Sequence, residues 1–89
     1  MKNKLTWDEN KRQANLQKHG LDFADAGEVL GSRYRLDLTV VRNGGQRLQS
    51  FSYVMDRLAV LSLVHLERDN AVRIISFREA SQFRIGGVL

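Results

Sequence analysis

The sequence predicts an α+β domain, with two N-terminal helices packed on a four-stranded antiparallel meander sheet and a short C-terminal tail or helical turn. Three observations carry this reading. Helical spacing of apolar residues is confined to the first third of the chain. From Tyr34 onward apolar and polar residues alternate with a period of two. The connections between the alternating segments are short and polar or glycine-containing, which suits antiparallel neighbours and leaves no room for crossovers. The 89 residues are read as one domain, 1–89, with no repeat, low-complexity segment or linker.

Taken in order, Thr6 and Glu9 have the spacing of a capping box, with Asp8 as an alternative cap. Lys11, Arg12, Gln13, Ala14, Leu16, Gln17 and Lys18 are helix formers, and Gly20 is suited to end the helix in a left-handed conformation. Asp22 is read as the cap of a second short helix whose apolar face is Phe23, Ala26, Val29 and Leu30, ending at Gly31-Ser32. Leu36, Leu38 and Val40 define a half-buried first strand, and Asn43-Gly44-Gly45 is a turn signal. Leu48 to Met55 forms the second strand, with Asp56-Arg57 as a tight turn. The apolar run Leu58–Val64 reads as a central strand covered on both faces, and Val72–Phe77 as the last strand after the polar turn Glu67–Asn70. One sheet face would be covered by the helices. Arg42, Arg47 and Arg73 would line the floor or rim of the other.

Composition restricts the function. The chain contains no cysteine, which excludes disulfides and thiolate metal sites. No His-x-x-x-His or paired acidic motif suggests a metal, so neither metal nor cofactor is expected. No apolar run approaches the roughly 18 residues of a membrane span, and the N-terminus lacks the apolar core of a secretory signal. A cytoplasmic protein without a membrane partner is expected. The net charge is +4 with a pI near 10.0. Ten of the 14 basic residues are arginine, whose planar fork grips phosphate with two hydrogen bonds. The charge balance admits a nucleic acid or acidic partner, or only a solvated basic surface.

Three blocks of residues resemble the BrnT-type toxins. The first is Trp7-Asp8, Lys11, Asn15, Lys18-His19-Gly20, Phe23 and Ala26. The second is a turn ending in Gly45 with Arg47 just after it, and the third is Arg73-Ile74-Ile75-Ser76-Phe77-Arg78-Glu79-Ala80. They occur in the family's order and spacing from Trp7 to Ala80. The resemblance implies a RelE-like fold and a ribonuclease toxin of a type II toxin–antitoxin system, acting on RNA without the ribosome. It also implies neutralisation by a ribbon-helix-helix antitoxin of the BrnA type, with operator DNA reached only through that antitoxin. The chain departs from the family at Gln46, where Glu is usual, and in its tail from Ser81 to Leu89. These departures keep a second reading open, that of a non-catalytic homologue serving only as an antitoxin-binding or nucleic-acid-binding module.

RNA cleavage without a metal requires proton transfer at the 2′-hydroxyl and the leaving 5′-oxygen, and positive charge at the phosphorane. The site expected from the resemblance is Lys18, His19, Arg47, Arg73 and Arg78. His19 would be the acid–base group and Lys18 a phosphate contact, or both would be ordinary charges at a helix C-terminus. Arg47, Arg73 and Arg78 would grip phosphate from fixed strands, or else pair with Asp37 or Glu79 at the sheet edge. Ser76 would donate a hydrogen bond or lie buried in its strand. Glu79 would act as a base or pair with Arg78 or Arg84. His65 reads as a satisfied, partly buried strand histidine before an active-site group, and Trp7 as a core anchor before a stacking platform. Lys11, Asn15 and Lys18 recur at helical spacing as a polar stripe, usually a solvated face. An uncovered edge strand leaves room for a homodimer.

Overall fold

The computed structural model describes residues 4–43, 45–54 and 58–80, without the side chain of Arg42. A short strand β1 (Lys4–Thr6) precedes the first helix, α1 (Glu9–His19). Asp8 caps α1, its carboxylate accepting from the backbone N–H groups of Asn10 at 2.9 Å and Lys11 at 3.2 Å. Gly20 ends it at φ 73, a left-handed value that glycine adopts without steric cost. Asp22 accepts from the Ala24 N–H and starts a 3₁₀ turn (Phe23–Asp25), followed by a single-turn helix α2 (Gly27–Leu30). Four strands then follow: β2 (Leu36–Arg42), β3 (Gly45–Val54), β4 (Ala59–Arg68) and β5 (Ala71–Glu79). Asp69 and Asn70 join β4 to β5, both with positive φ (52 and 64), as a tight hairpin with the right-handed strand twist requires.

The expected four-stranded meander is corrected to a five-stranded mixed sheet of order β1-β5-β4-β3-β2, in which β1 runs parallel to β5. The antiparallel β2–β5 order stands within it. Lys4-Leu5-Thr6 is too short to show a period of two, and its partner Ala71–Arg73 lies far away in sequence. Thr6 is therefore a strand residue and not the helix cap. The expected second helix is also shorter than its apolar spacing suggested, divided into a 3₁₀ turn and one α turn. The tail from Ser81, the turn at Asp56-Arg57, and Gly44 lie outside the described residues.

Phe23, Ala26 and Val29 from the helical layer meet Leu61, Leu63, Ile74 and Phe77 from one face of the sheet, and this is the core. Trp7 packs on it edge-on to Phe23, with ring centroids 6.4 Å apart. β1 covers only the start of β5's outer edge. Farther along, Asn15 takes over: its Nδ2 donates to the carbonyls of Phe77 (2.8 Å) and Leu21 (3.0 Å), and its Oδ1 accepts from the Phe77 N–H (3.2 Å). One buried amide thus substitutes for a missing strand and holds α1 beside β5. The expected polar stripe is corrected accordingly, since Asn15 is buried while Lys11 and Lys18 are exposed.

No helix of the described residues is long and apolar enough to cross a membrane.

Candidate functional site

The sheet face away from the core carries the chemistry. Alternation along the strands and pairing across them place side chains on it in rows. Leu36, Phe51, Ser62 and Arg78 form one row, and Leu38, Gln49, Val64 and Ser76 the next. Beyond these, Val40 pairs with Arg47 and Leu66 with Arg73. Leu36, Leu38 and Tyr53 on this face are 56%, 47% and 44% exposed, so the face is accessible at its β2–β3 side.

Arg73 and Arg78 share this face because of an irregularity. Residues five apart on a regular strand point to opposite sides. Here His65 pairs with Ile74 but Val64 pairs with Ser76, leaving Ile75 as the extra residue of a bulge. The bulge restores Arg78 to the side of Arg73. Arg47 stands two strands from Arg73, roughly 10 Å across the sheet.

Between Arg47 and Arg78 the face sinks into a depression of about 290 Å³. Val40, Val64 and Ile75 supply its apolar walls, and Gln49 and Ser76 its uncharged polar groups. A second depression of about 280 Å³ lies beside Arg47, lined among others by Gln46, Leu66 and Glu67. The side chains of Arg47, Arg73 and Arg78 make no hydrogen bond or ion pair with any described residue, so the expected alternative of pairing with Asp37 or Glu79 is not realised. Their guanidinium groups are available to an anion.

Two other arginines behave differently. Arg12 clamps Glu9 and Asp22 at 2.6 and 3.0 Å. Its hydrogen bonds, with help from Gln13, hold the Glu9 carboxyl down to about 2. Arg35 donates to Asp37 and Glu67 at 2.8 and 3.3 Å. These arginines fasten structure and leave no charge free for a ligand.

Lys18 and His19 occupy the exposed last turn of α1. They lie one helical turn past Asn15, on the side of α1 that Asn15 turns toward β5. No hydrogen bond or ion pair among the described residues joins Lys18 or His19 to the three arginines. The structure thus groups Arg47, Arg73 and Arg78 on one face, while Lys18 and His19 stand on the exposed end of α1. Glu79 is exposed and Arg84 lies outside the described residues.

His65 lies on the core face and is fully buried. Ser50 donates to Asp37 Oδ1 at 2.6 Å, so its one proton is committed and its oxygen accepts from His65 Nε2 at 2.8 Å. That leaves Nδ1 without a hydrogen bond, facing Glu67 Oε2 at 3.4 Å. The expectation of a satisfied histidine is corrected, since one ring nitrogen is unpartnered. Burial, opposed by the Glu67 charge, lowers the His65 pKa below its ordinary value. Hydrogen bonds from Arg35 and then Ser50 hold Asp37 low. The signal that would have revealed this network, the strand parity shared by Asp37, Ser50 and His65, needs the register to be known.

No group of three or more His, Asp or Glu residues among those described is arranged to hold a metal ion. Comparison with curated proteins finds no match. The family model for the ribonuclease toxin BrnT of type II toxin–antitoxin systems matches residues 7–83, which include α1, the bulged β5 and all three unpaired arginines. With that match spanning most of its 89 residues, the chain belongs to the BrnT family of ribonuclease toxins.

Proposed function

We propose that this BrnT-family toxin cleaves RNA on the far face of its sheet without a metal and without the ribosome. The observation that carries the reading is the set of unpaired guanidinium groups of Arg47, Arg73 and Arg78 on a single face. The attacking 2′-oxygen bonds to phosphorus as the bond to the 5′-oxygen breaks. The products are a 2′,3′-cyclic phosphate and a 5′-hydroxyl. Arg47, Arg73 and Arg78 bind the phosphodiester and stabilise the charge that grows on the pentavalent phosphorus. Lys18 and His19, on the exposed last turn of α1, complete the site: His19 moves the protons and Lys18 contacts a neighbouring phosphate. An antitoxin of the ribbon-helix-helix, BrnA type neutralises the enzyme and alone contacts operator DNA.

The test uses purified protein and a 5′-labelled single-stranded RNA in EDTA, free of ribosomes. Cleavage is expected, with Arg78→Ala, Arg47→Ala and Arg73→Ala each slowing it on the order of a hundredfold. Undiminished cleavage in all three variants overturns the site, and a requirement for added Mg²⁺ overturns the metal-free reaction. A second reading, RNA binding without scission, is favoured by one observation: the depression between Arg47 and Arg78 has no carboxylate or imidazole in its lining. It predicts binding in the same assay with intact RNA, and normal growth when the chain is expressed without an antitoxin.

A further inference from the structure

We infer that the depression between Arg47 and Arg78 is a nucleobase pocket and that Gln49 selects the base that enters it. The inference rests on the reading of this face as the RNA site and names its substrate class: single-stranded RNA with one base turned out of its stack.

Size comes first. At about 290 Å³ the depression lies at the lower end of small-molecule pockets, roughly 300 Å³ and upward, so it suits one ring system and its immediate substituents. Lining comes second. A base needs apolar surface against its faces and polar groups at its edge. Val40, Val64 and Ile75 supply the first, and Gln49 and Ser76 the second. Ile75 is present only because of the β5 bulge, which pushes an additional side chain into the wall.

The third argument concerns the amide itself. Gln49 Nε2 donates to Ser62 Oγ at 3.0 Å, and Ser62 is 2% exposed. This bond to a buried hydroxyl restrains the Gln49 side chain. Gln49 Oε1 and the second N–H then form an acceptor and a donor side by side, with no other partner among the described residues. An amide in a set orientation reads one order of donor and acceptor on a base edge and rejects the reverse. A freely rotating glutamine would accept either. The flanking charges fit the same ligand: a nucleotide whose base sits in the depression has a phosphate on each side, and Arg47 and Arg78 stand at opposite ends. Phosphate contacts position the strand, and the amide supplies the sequence information. Duplex RNA cannot present a base in this way.

The experiment measures binding of four fluorescent RNA 9-mers, identical except for A, C, G or U at the central position. They carry 2′-O-methyl groups throughout so that none is cleaved, and binding is read by anisotropy in EDTA. The intact protein is expected to prefer one base over the weakest by about five- to a hundredfold. Gln49→Leu should bring all four affinities to within about threefold of one another. Arg47→Ala and Arg78→Ala should weaken all four together and keep the order of preference. Annealing the complementary strand should abolish the preference in the intact protein. If Gln49→Leu lowers the folded fraction by circular dichroism, Gln49→Met serves in its place, because it keeps the length of the side chain and carries no amide. Equal affinities in the intact protein, or a preference that survives loss of the Gln49 amide, overturn the pocket. Because the ligands are uncleavable, this outcome is separate from that of the nuclease reading, which fails only if unmodified RNA stays intact.

Discussion

Replacing Asn15 by Leu tests the arrangement on which the outer edge of β5 depends. Leucine has the branched outline of asparagine with bulkier end groups and a higher helix propensity, so neither a void nor loss of helix explains the effect. The substitution removes the donors to the Phe77 and Leu21 carbonyls and the acceptor for the Phe77 N–H. Phe77 is 0% exposed and Leu21 5%, so water reaches these backbone groups poorly. A stranded buried donor or acceptor costs about 1–3 kcal/mol, less for a carbonyl that can tolerate partial satisfaction. The three groups together give about 3–5 kcal/mol, and at about 0.05–0.15 kcal/mol per residue the whole domain is stable by about 4–13 kcal/mol. The assay is urea unfolding followed by fluorescence of Trp7, the single tryptophan, which packs against Phe23. The midpoint should fall with little change in slope, and the melting temperature by 12 °C or more at about 4–8 °C per kcal/mol for a domain of this size. A loss under about 1 kcal/mol would mean that Asn15 does not stand in for the missing strand.

Two further predictions follow from the charges. Single-stranded RNA releases about 0.7 counterion per neutralised phosphate, so alanine at Arg47, Arg73 or Arg78 should each reduce the slope of log K against log salt by about 0.7. The same change at Arg12 or Arg35, whose charges are already committed to Glu9, Asp22, Asp37 and Glu67, should leave that slope unchanged. The buried His65 makes stability depend on pH. Because its folded pKa lies below 6.5, the unfolded chain binds the extra proton first, and stability should fall as pH drops through and below 6.5. Urea midpoints at pH 7.5 and 5.5 should show the decline in the intact protein and a smaller one in His65→Gln. An equal decline in both would remove His65 as its cause.

Elements governed by local rules were legible along the chain. Gly20 ends the first helix at a left-handed φ as its position implied, and Asp8, the alternative to the Thr6–Glu9 capping box, caps its start. Phe23, Ala26 and Val29 mark one buried face, and Asn43 and Asp69-Asn70 sit at turns because they tolerate positive φ. The family resemblance, too, was legible from ordered blocks of residues. Tertiary structure decided whatever depends on partners distant in the chain. Lys4-Leu5-Thr6 becomes a strand only because Ala71–Arg73 offers an edge, and Asn15 leaves the solvated face only because Phe77 has backbone groups to satisfy. Arg73 and Arg78 stand on one face because a single bulged residue reverses the alternation, and strand pairing alone creates that bulge. The physical reason is the same in each case. Capping, turn geometry and periodicity act over a few residues, whereas hydrogen bonds between strands depend on register, which no local stretch of sequence encodes.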